Sequence, residues 1–293
     1  MKLIKQDFNI VNQQGFSIKD IKKHIEYCAR ISYKSQDKIT DTSYEKFVNM
    51  LVKRDHARPL EFGTVHLKLA FNALDLFLGT VVPSKMFNNQ WVQWDIQKDS
   101  EDNKYYAYMT TNYRYYLALL NEAPWLSKYL DSNDSKFYPK RYTVHFVISR
   151  GIMDEFRTHV GLSHLAESSR YCSYDKNRFG NELTFIIPNW VNTNCPNKEQ
   201  EGSSVASIEW STAMLNAEAS YMNLIKMGCT AQEAREVLPL AVKSELISCG
   251  FEDAWKNFFY RRCAKDAHPM AREIATKVRD KFNKLKNETK ESK

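Results

Sequence analysis

The segment YTVHFVISRGIMDEFRTHVGLSHLAESSRYCSY, residues 142–174, decides the fold class because its pattern changes from strand to helix to a Ser-rich connection. Apolar residues alternate with more polar ones in its first part, which is typical of a half-buried strand. The stretch ISRGIMDEFRTHV that follows predicts a short helix. From Ser163 to Tyr174 the sequence then holds four serines, a histidine, a glutamate and an arginine. This connection is either a capped, solvated loop or a cradle for an anion such as phosphate.

The sequence on both sides of this segment supplies further strands and helices. One strand pattern places Val65, Leu67, Leu69 and Phe71 on one face, and the strand LTFIIP ends at Pro188. The predicted helices are SIKDIKKHIEYCARISY, the segment that starts at Ser43, SIEWSTAMLNAEASYMNLIKMG, TAQEAREVLP, GFEDAWKNFFYRRC and HPMAREIATKVRDKF. Strands are early and central and helices are late, which predicts an α+β fold.

Residues 72–140 form a separate compositional region, rich in Trp, Tyr and Asn. We interpret it as an insertion with helical pieces such as NYRYYLALLNEA, which either covers a site or fills a subunit contact. The sequence therefore predicts one domain over residues 1–293, with a variable insertion at about residues 72–140.

Composition narrows the class of protein. The 293 residues are 43% hydrophobic and 13% aromatic, which is enough for a substantial core. A net charge of +7 suits anionic small molecules as well as nucleic acid. Neither a signal peptide nor a membrane span is predicted, since long apolar runs are missing. The six cysteines form no C-x-x-C pair, so we expect reduced thiols in a cytoplasmic protein without a zinc site.

Several common catalytic motifs are absent. The sequence contains no P-loop, no G-x-G-x-x-G and no G-x-S-x-G. It also lacks H-E-x-x-H, and its seven histidines are scattered, so metal catalysis has no support. Arginines stand in more specific contexts: Arg170 follows Ser168 and Ser169, Arg235 lies in AREVLP, and Arg262 ends WKNFFYRR. A guanidinium matches phosphate and uracil oxygens, and small hydroxyls allow a phosphate nest. Helix caps and surface ion pairs are the commoner roles of such serines and arginines, so both explanations stay open at this point.

The ordered set of motifs resembles the flavin-dependent thymidylate synthase family. That family carries the signature R-H-R-x-x-S-x-N-E-x-S-x-R-Y, and the residues that match it are His159, Ser163, Ser168, Arg170 and Tyr171. His56, Pro59 and Glu61 resemble its H-x-x-P-x-E segment. AREVLP and NFFYRRCAKDAHPMAR resemble its two late substrate-binding segments. The resemblance covers most of the chain outside the insertion.

The chain departs from the signature at two places. The R-H-R triplet is Thr158-His159-Val160, although Arg157 lies one position earlier. The N-E pair is Leu165-Ala166, with Glu167 displaced by one position. These changes bear on flavin affinity and on the choice of substrate.

The resemblance implies a fold and a reaction. The fold is α+β, with a central, mainly antiparallel sheet flanked by helices, in a homotetramer whose sites lie between subunits. The reaction methylates dUMP to dTMP with methylene-tetrahydrofolate as carbon donor. Reduced FAD carries the hydride and NADPH is the reductant. No metal, membrane or nucleic-acid partner is implied.

The resemblance also implies roles for individual residues. Arg262 is expected to be the catalytic residue, which stabilises negative charge on the N3/O2/O4 edge of a uracil and so activates C5. The expected substrate-binding residues are Glu155, Ser168, Ser169, Arg170, Arg235 and Arg262. The expected cofactor-binding residues are His56, Glu61, Arg157, His159 and Asn257. Glu155 replaces a family glutamine, a change that the sequence does not explain.

Three alternatives remain open at this point. The first is a related flavin enzyme that modifies another pyrimidine nucleotide. The second is a degenerate, non-catalytic member of the family. The third is a basic nucleic-acid-binding protein that uses its aromatic residues for stacking, against which stands the modest net charge.

Overall fold

The computed structural model describes residues 1–71, 89–99, 102–168, 174, 181–191 and 203–291. The fold is α+β, as predicted. The strands are β1 (Lys2–Ile4), β2 (Asp7–Ile10), β3 (Thr64–Phe71), β4 (Val92–Lys98), β5 (Tyr105–Asn112), β6 (Arg141–Ser149), β7 (Ser163–Ala166), β8 (Thr184–Ile186) and β9 (Lys243–Phe251). The helices are α1 (Ile18–Ser32), α2 (Ser43–Lys53), α3 (Ala57–Leu60), α4 (Tyr113–Glu122), α5 (Arg150–Arg157), α6 (Ser203–Lys226), α7 (Ala231–Ala234), α8 (Glu252–Arg262) and α9 (Pro269–Glu291).

The main sheet is antiparallel and has the strand order β2–β6–β9–β7. A second antiparallel sheet has the order β3–β5–β4, and β1 pairs with β8 in parallel. Strand β9 lies between β6 and β7. Helix α5 directly follows β6, and helix α8 directly follows β9. Because β6 and β9 are antiparallel, these two helices start at opposite ends of the neighbouring strands.

The main sheet is covered on both faces. On one face, Val144, Phe146 and Ile148 are fully buried against α5, α8 and α9, as the alternation in YTVHFVIS predicts. On the other face, Ile247 and Cys249 pack against α1 and Phe62. Burial of apolar side chains on both faces makes this sheet the structural centre of the chain.

Strand β9 was not predicted, and the expectation that helices alone fill the late part of the chain is wrong. Its sequence, KSELISCGF, begins with alternating charged and small residues, which suggests an exposed segment. In the structure the charged residues are paired under α1: Lys243 Nζ lies 2.8 Å from Glu245 Oε1, and His145 Nε2 lies 2.9 Å from Glu245 Oε2. Pairing of these groups allows a polar stretch to occupy a central strand.

The region 72–140 is not only helical. The helix in NYRYYLALLNEA is confirmed as α4, but β4 and β5 precede it and extend β3 into a sheet. Leu67, Leu69 and Met109 on the inner face of this sheet pack with α1 and α2. The strand pattern was obscured because tyrosines and threonines occupy both faces of β5.

The helix ends follow the sequence rules. The Ser17 side chain accepts a hydrogen bond from the backbone N–H of Asp20, and Thr230 forms a capping box with Glu233. Gly228 has φ +94° directly after α6, a conformation that glycine adopts without strain. No helix among the described residues is long and apolar enough to cross a membrane.

Stability is expected to fall as the pH drops from about 6.5 towards 4. Burial lowers the pKa of His24, His66 and His164 to about 4, so each must remain neutral in the folded chain but binds a proton when unfolded. A lowered histidine pKa removes stability as the pH falls through the unfolded value, by on the order of 1–2 kcal/mol per residue at pH 5. Urea unfolding at pH 7.5, 6 and 5 measures this. His66→Phe should flatten the curve, and an unfolding free energy independent of pH would contradict the expectation.

Candidate functional site

The site is built where α5 meets α8. Arg262, in the last turn of α8, donates through Nη2 to the backbone oxygen of Glu155 at 2.6 Å. Its Nη1 lies 3.6 Å from Glu155 Oε2. The structure therefore brings the predicted catalytic arginine and the predicted substrate-binding glutamate together from segments that are about a hundred residues apart.

Two polar atoms at this junction are buried and lack partners among the described residues. They are Nε of Arg262 and Nε2 of His159. His159 lies edge-on to the ring of Phe258 in α8, with 5.4 Å between ring centroids. Burial lowers the pKa of His159, and the positive charge of Arg262 lowers it further. His159 is therefore a neutral imidazole at pH 7, and both unpaired atoms suit a polar ligand.

Glycines bring the turn after α5 close to β9. Gly161 has φ +96°, and a Cβ on Gly250 would lie 2.5 Å from Leu162 Cδ2 and 3.1 Å from the Gly161 backbone oxygen. A side chain at position 250 would therefore displace Leu162 and press on the Gly161 carbonyl. The backbone oxygen of His159 then lies 3.2 Å from His164 Nε2, while His164 Nδ1 lies 2.9 Å from Ser248 Oγ. The altered triplet is thus held firmly against the sheet, with Val160 exposed.

Glu61 is a structural anchor for the signature segment. It is 1% exposed, and its Oε2 accepts from Ser163 Oγ at 2.6 Å while Oε1 accepts from Arg114 at 2.6 Å. Arg58 lies 3.7 Å away and Arg141 donates to the Glu61 backbone oxygen at 2.7 Å. Both carboxylate oxygens of Glu61 therefore already have protein partners, and the groups at this point that face solvent are Arg58 and Arg114.

Arg157 and Glu155 have different partners from those expected. Arg157 is the cation nearest to Glu155 in sequence, but its Nη2 lies 3.5 Å from Asp154 Oδ1 instead. The cation beside Glu155 is Arg262. Because Arg157 and Glu155 lie two positions apart on α5, they point to different sides of the helix.

Arg235 lies in a second part of the site. It lines a cavity of about 160 Å³ together with Arg150, Lys243, Glu167 and Tyr174. Ser168 follows Glu167 directly and its backbone N–H bonds the oxygen of Ser32 at 3.4 Å. The expected phosphate residues Ser169 and Arg170 lie outside the described residues.

The Ser-rich stretch does not begin as a loop. Ser163–Ala166 is strand β7, which pairs with β9 over four positions. Glu167 continues this edge, and its backbone N–H bonds the Glu245 oxygen at 2.7 Å. Ser168, the expected phosphate ligand, is thereby placed at the end of a strand rather than in the middle of a connection.

Two predicted cofactor residues are not drawn into the junction. His56 is exposed before α3, and Asn257 is exposed on α8. Arg114, Arg150 and Lys243 were missed by the sequence analysis. Arg114 lies in the supposed insertion, and the other two stand at helix and strand starts without a recognisable motif, so only their position in the fold reveals them.

Among the residues that the structure describes, no cluster of His, Cys, Asp and Glu side chains could hold a metal ion. The described cysteines, Cys28, Cys229, Cys249 and Cys263, are unpaired. The arginines at the α5–α8 junction and in the cavity are donors suited to anionic or carbonyl oxygens, while Glu155, Glu167 and Glu236 accept hydrogen bonds there.

Comparison with known proteins identifies the family. The family described as "Thymidylate synthase complementing protein" matches residues 126–286, more than half of the chain. The chain therefore belongs to this family, the flavin-dependent thymidylate synthases, which are thymidylate-synthase-type methyltransferases.

A similar solved structure is described as a UMP/dUMP methylase PolB from Streptomyces cacaoi bound with 5-Br UMP. It is 13% identical, covers 97% of this chain and 92% of its own, and superposes with a TM-score of 0.45. No curated protein shows significant sequence similarity to the chain.

Proposed function

We propose that the protein methylates dUMP to dTMP, with methylene-tetrahydrofolate as carbon donor, FAD as cofactor and NADPH as reductant. The observation that carries this proposal is the junction of Arg262, Glu155 and His159, where a half-buried cation and a buried imidazole each keep a polar atom without a partner among the described residues. Family membership supports the reaction class.

Arg262 is the residue that we assign to activation of the pyrimidine. C5 of uracil becomes nucleophilic when negative charge is stabilised on the N3/O2/O4 edge of the ring. The guanidinium is held in place by its bond to the Glu155 backbone, so it need not reorganise during the reaction. The unpaired Nε gives it a further donor for the ring oxygens.

The residues around the junction fit a flavin. The buried Nε2 of His159 has no partner within the part of the chain that the structure describes, and Arg58, Arg114 and Arg157 are exposed cations on α3, α4 and α5. These groups suit the polar ring edge and the phosphates of FAD. A flavin held by these residues would supply the hydride and mediate the one-carbon transfer. In this assignment Glu61 positions Ser163 and Arg114 and does not itself contact the flavin.

The nucleotide phosphate is assigned to the cavity that Arg235 lines, with Ser168, Ser169 and Arg170 as further ligands. We further propose a single domain with a variable insertion near residues 72–140, a homotetramer with sites between subunits, and a cytoplasmic location.

The experiment that tests the function follows the nucleotide by mass spectrometry. Purified protein receives FAD, NADPH, methylene-tetrahydrofolate and dUMP, and the expected product is dTMP. Reactions without FAD or without methylene-tetrahydrofolate are the controls. Folded, flavin-bound protein that leaves dUMP unchanged would refute the proposal.

Glu155 favours a second candidate substrate. A carboxylate accepts hydrogen bonds only, while Arg262 beside it donates only. This pair suits uracil, which offers N3–H and O4, but it also suits cytosine, which offers the N4 amino group and N3. Supplying dCMP in parallel decides between the two, because conversion of dCMP in preference to dUMP would assign the protein to the cytosine nucleotide.

A further inference from the structure

The cavity beside Arg235 has a second arginine that no family motif supplies. Arg150, the first residue of α5, and Arg235, from the segment after α7, both line this space of about 160 Å³. Lys243 lines it from the start of β9. Three cations from three separate elements line this small volume, together with the carboxylates of Glu167 and Glu236.

The backbone arrangement fixes this convergence. The N–H of Arg150 bonds the Val242 oxygen at 2.9 Å, and the N–H of Gly151 bonds the Leu240 oxygen at 3.1 Å. Ser149 caps the helix by accepting from the N–H of Ile152. The first backbone donors of α5 are therefore occupied within the protein, so recognition of an anion in the cavity falls to the side chains.

The charges along the wall differ in how far they are compensated. Lys243 Nζ lies 2.9 Å from Glu167 Oε2 and 2.8 Å from Glu245 Oε1, and Lys34 also pairs with Glu245. These buried ion pairs hold the pKa of Glu245 well below its usual range, because the bond from His145 and the two lysine charges outweigh the effect of burial. The charge of Lys243 is therefore already neutralised by the protein's own carboxylates, Glu167 and Glu245.

The positive charge of Arg150 is neutralised much less by neighbouring carboxylates. Its Nε lies 3.1 Å from Asp154 Oδ2, one turn further along α5, and the pair is partly exposed. A guanidinium has five N–H donors, so this single bond leaves several for a ligand. Arg235 lines the same cavity, so two guanidinium groups from separate elements face this space.

We propose that Arg150 is a substrate-specificity residue that binds the 5′-phosphate of the nucleotide opposite Arg235. This inference rests on the proposed function, because the proposed function supplies the phosphate-bearing substrate. Two guanidinium groups facing one phosphate favour a monophosphate over the free nucleoside, because each forms charge-assisted bonds with the phosphate oxygens.

The test measures dissociation constants by calorimetry for dUMP, deoxyuridine and inorganic phosphate. Arg150→Gln is expected to weaken binding of dUMP and of phosphate by about 10-fold or more while leaving deoxyuridine unchanged. Arg150→Lys keeps the positive charge but loses the planar guanidinium, so its affinities for dUMP and phosphate should lie between those of the wild type and Arg150→Gln. Arg279→Gln, an exposed arginine on α9 that pairs with Asp280, is the matched control and should bind all three like the wild type.

Each outcome decides the proposal. Equal affinity of Arg150→Gln and wild type for dUMP and phosphate overturns it, and so does an equal loss for dUMP and deoxyuridine. Wild-type protein that binds no phosphate-bearing probe also overturns it. Phosphate binding that depends on Arg150, in protein that converts no dUMP, supports the anion site and places the failure in the proposed function.

Discussion

Arg262→Ala should lower kcat for dUMP methylation by about 10²–10³-fold, the usual loss when a preorganised charge-stabilising donor is removed. The guanidinium is fixed by its 2.6 Å bond to the Glu155 oxygen, and an alanine leaves the ring edge without a cation. The nucleotide phosphate contacts lie elsewhere, so KM should change much less than kcat. Steady-state kinetics with saturating cofactors measure both values.

The neighbouring arginine offers a matched control. Arg261 is exposed on the same turn of α8, so Arg261→Ala removes the same charge without touching the junction and should change kcat less than 3-fold, or about 0.6 kcal/mol. Arg262→Lys should recover part of the lost rate. A folded Arg262→Ala variant with a wild-type kcat would remove Arg262 from the reaction.

Glu61→Ala should lower the free energy of unfolding by about 2–4 kcal/mol, because it strands two polar partners at once. Ser163 Oγ loses its acceptor in a buried position, and Arg114 loses the carboxylate at 2.6 Å. The start of β7 should loosen, and affinity for flavin should fall with it. Urea denaturation gives the stability, and quenching of flavin fluorescence gives the affinity.

Two further variants separate charge from structure in this prediction. Glu61→Gln keeps an acceptor for Ser163 and should lose less stability than the alanine variant. Glu122→Ala, on the exposed side of α4, removes an acid near Arg114 in sequence and should change neither property. A loss confined to flavin affinity, with unchanged stability, would show that Glu61 is a direct ligand rather than an anchor.

The sequence predicts the parts of the fold in which one face is apolar. Val144, Phe146 and Ile148 alternate cleanly because one face of β6 packs on helices, and α1 is recognisable from its cap at Ser17. Strand β9 escaped prediction because Lys243 and Glu245 occupy buried positions that only tertiary ion pairs make acceptable. Periodicity records which residues are apolar, but it does not record which charges will find partners.

The candidate site likewise contains some residues that the sequence predicts and others that it does not. Arg262 and Glu155 were named from motif positions, and the structure brings them together. Arg150 and Arg114 carry no motif, and their neighbours come from segments far away in the sequence. Residues of this kind are identified by convergence in space, which a single sequence does not record.

The central position of β9 has a consequence for how the chain folds. Its register pairs Ser149 with Lys243 and Arg141 with Phe251, so about a hundred residues separate the partners of the main sheet. Such long-range pairing requires closure of a large loop before its contacts can form, and it slows folding. During synthesis, β6 and β7 leave the ribosome well before the strand that joins them, and meanwhile their edges are open to wrong partners.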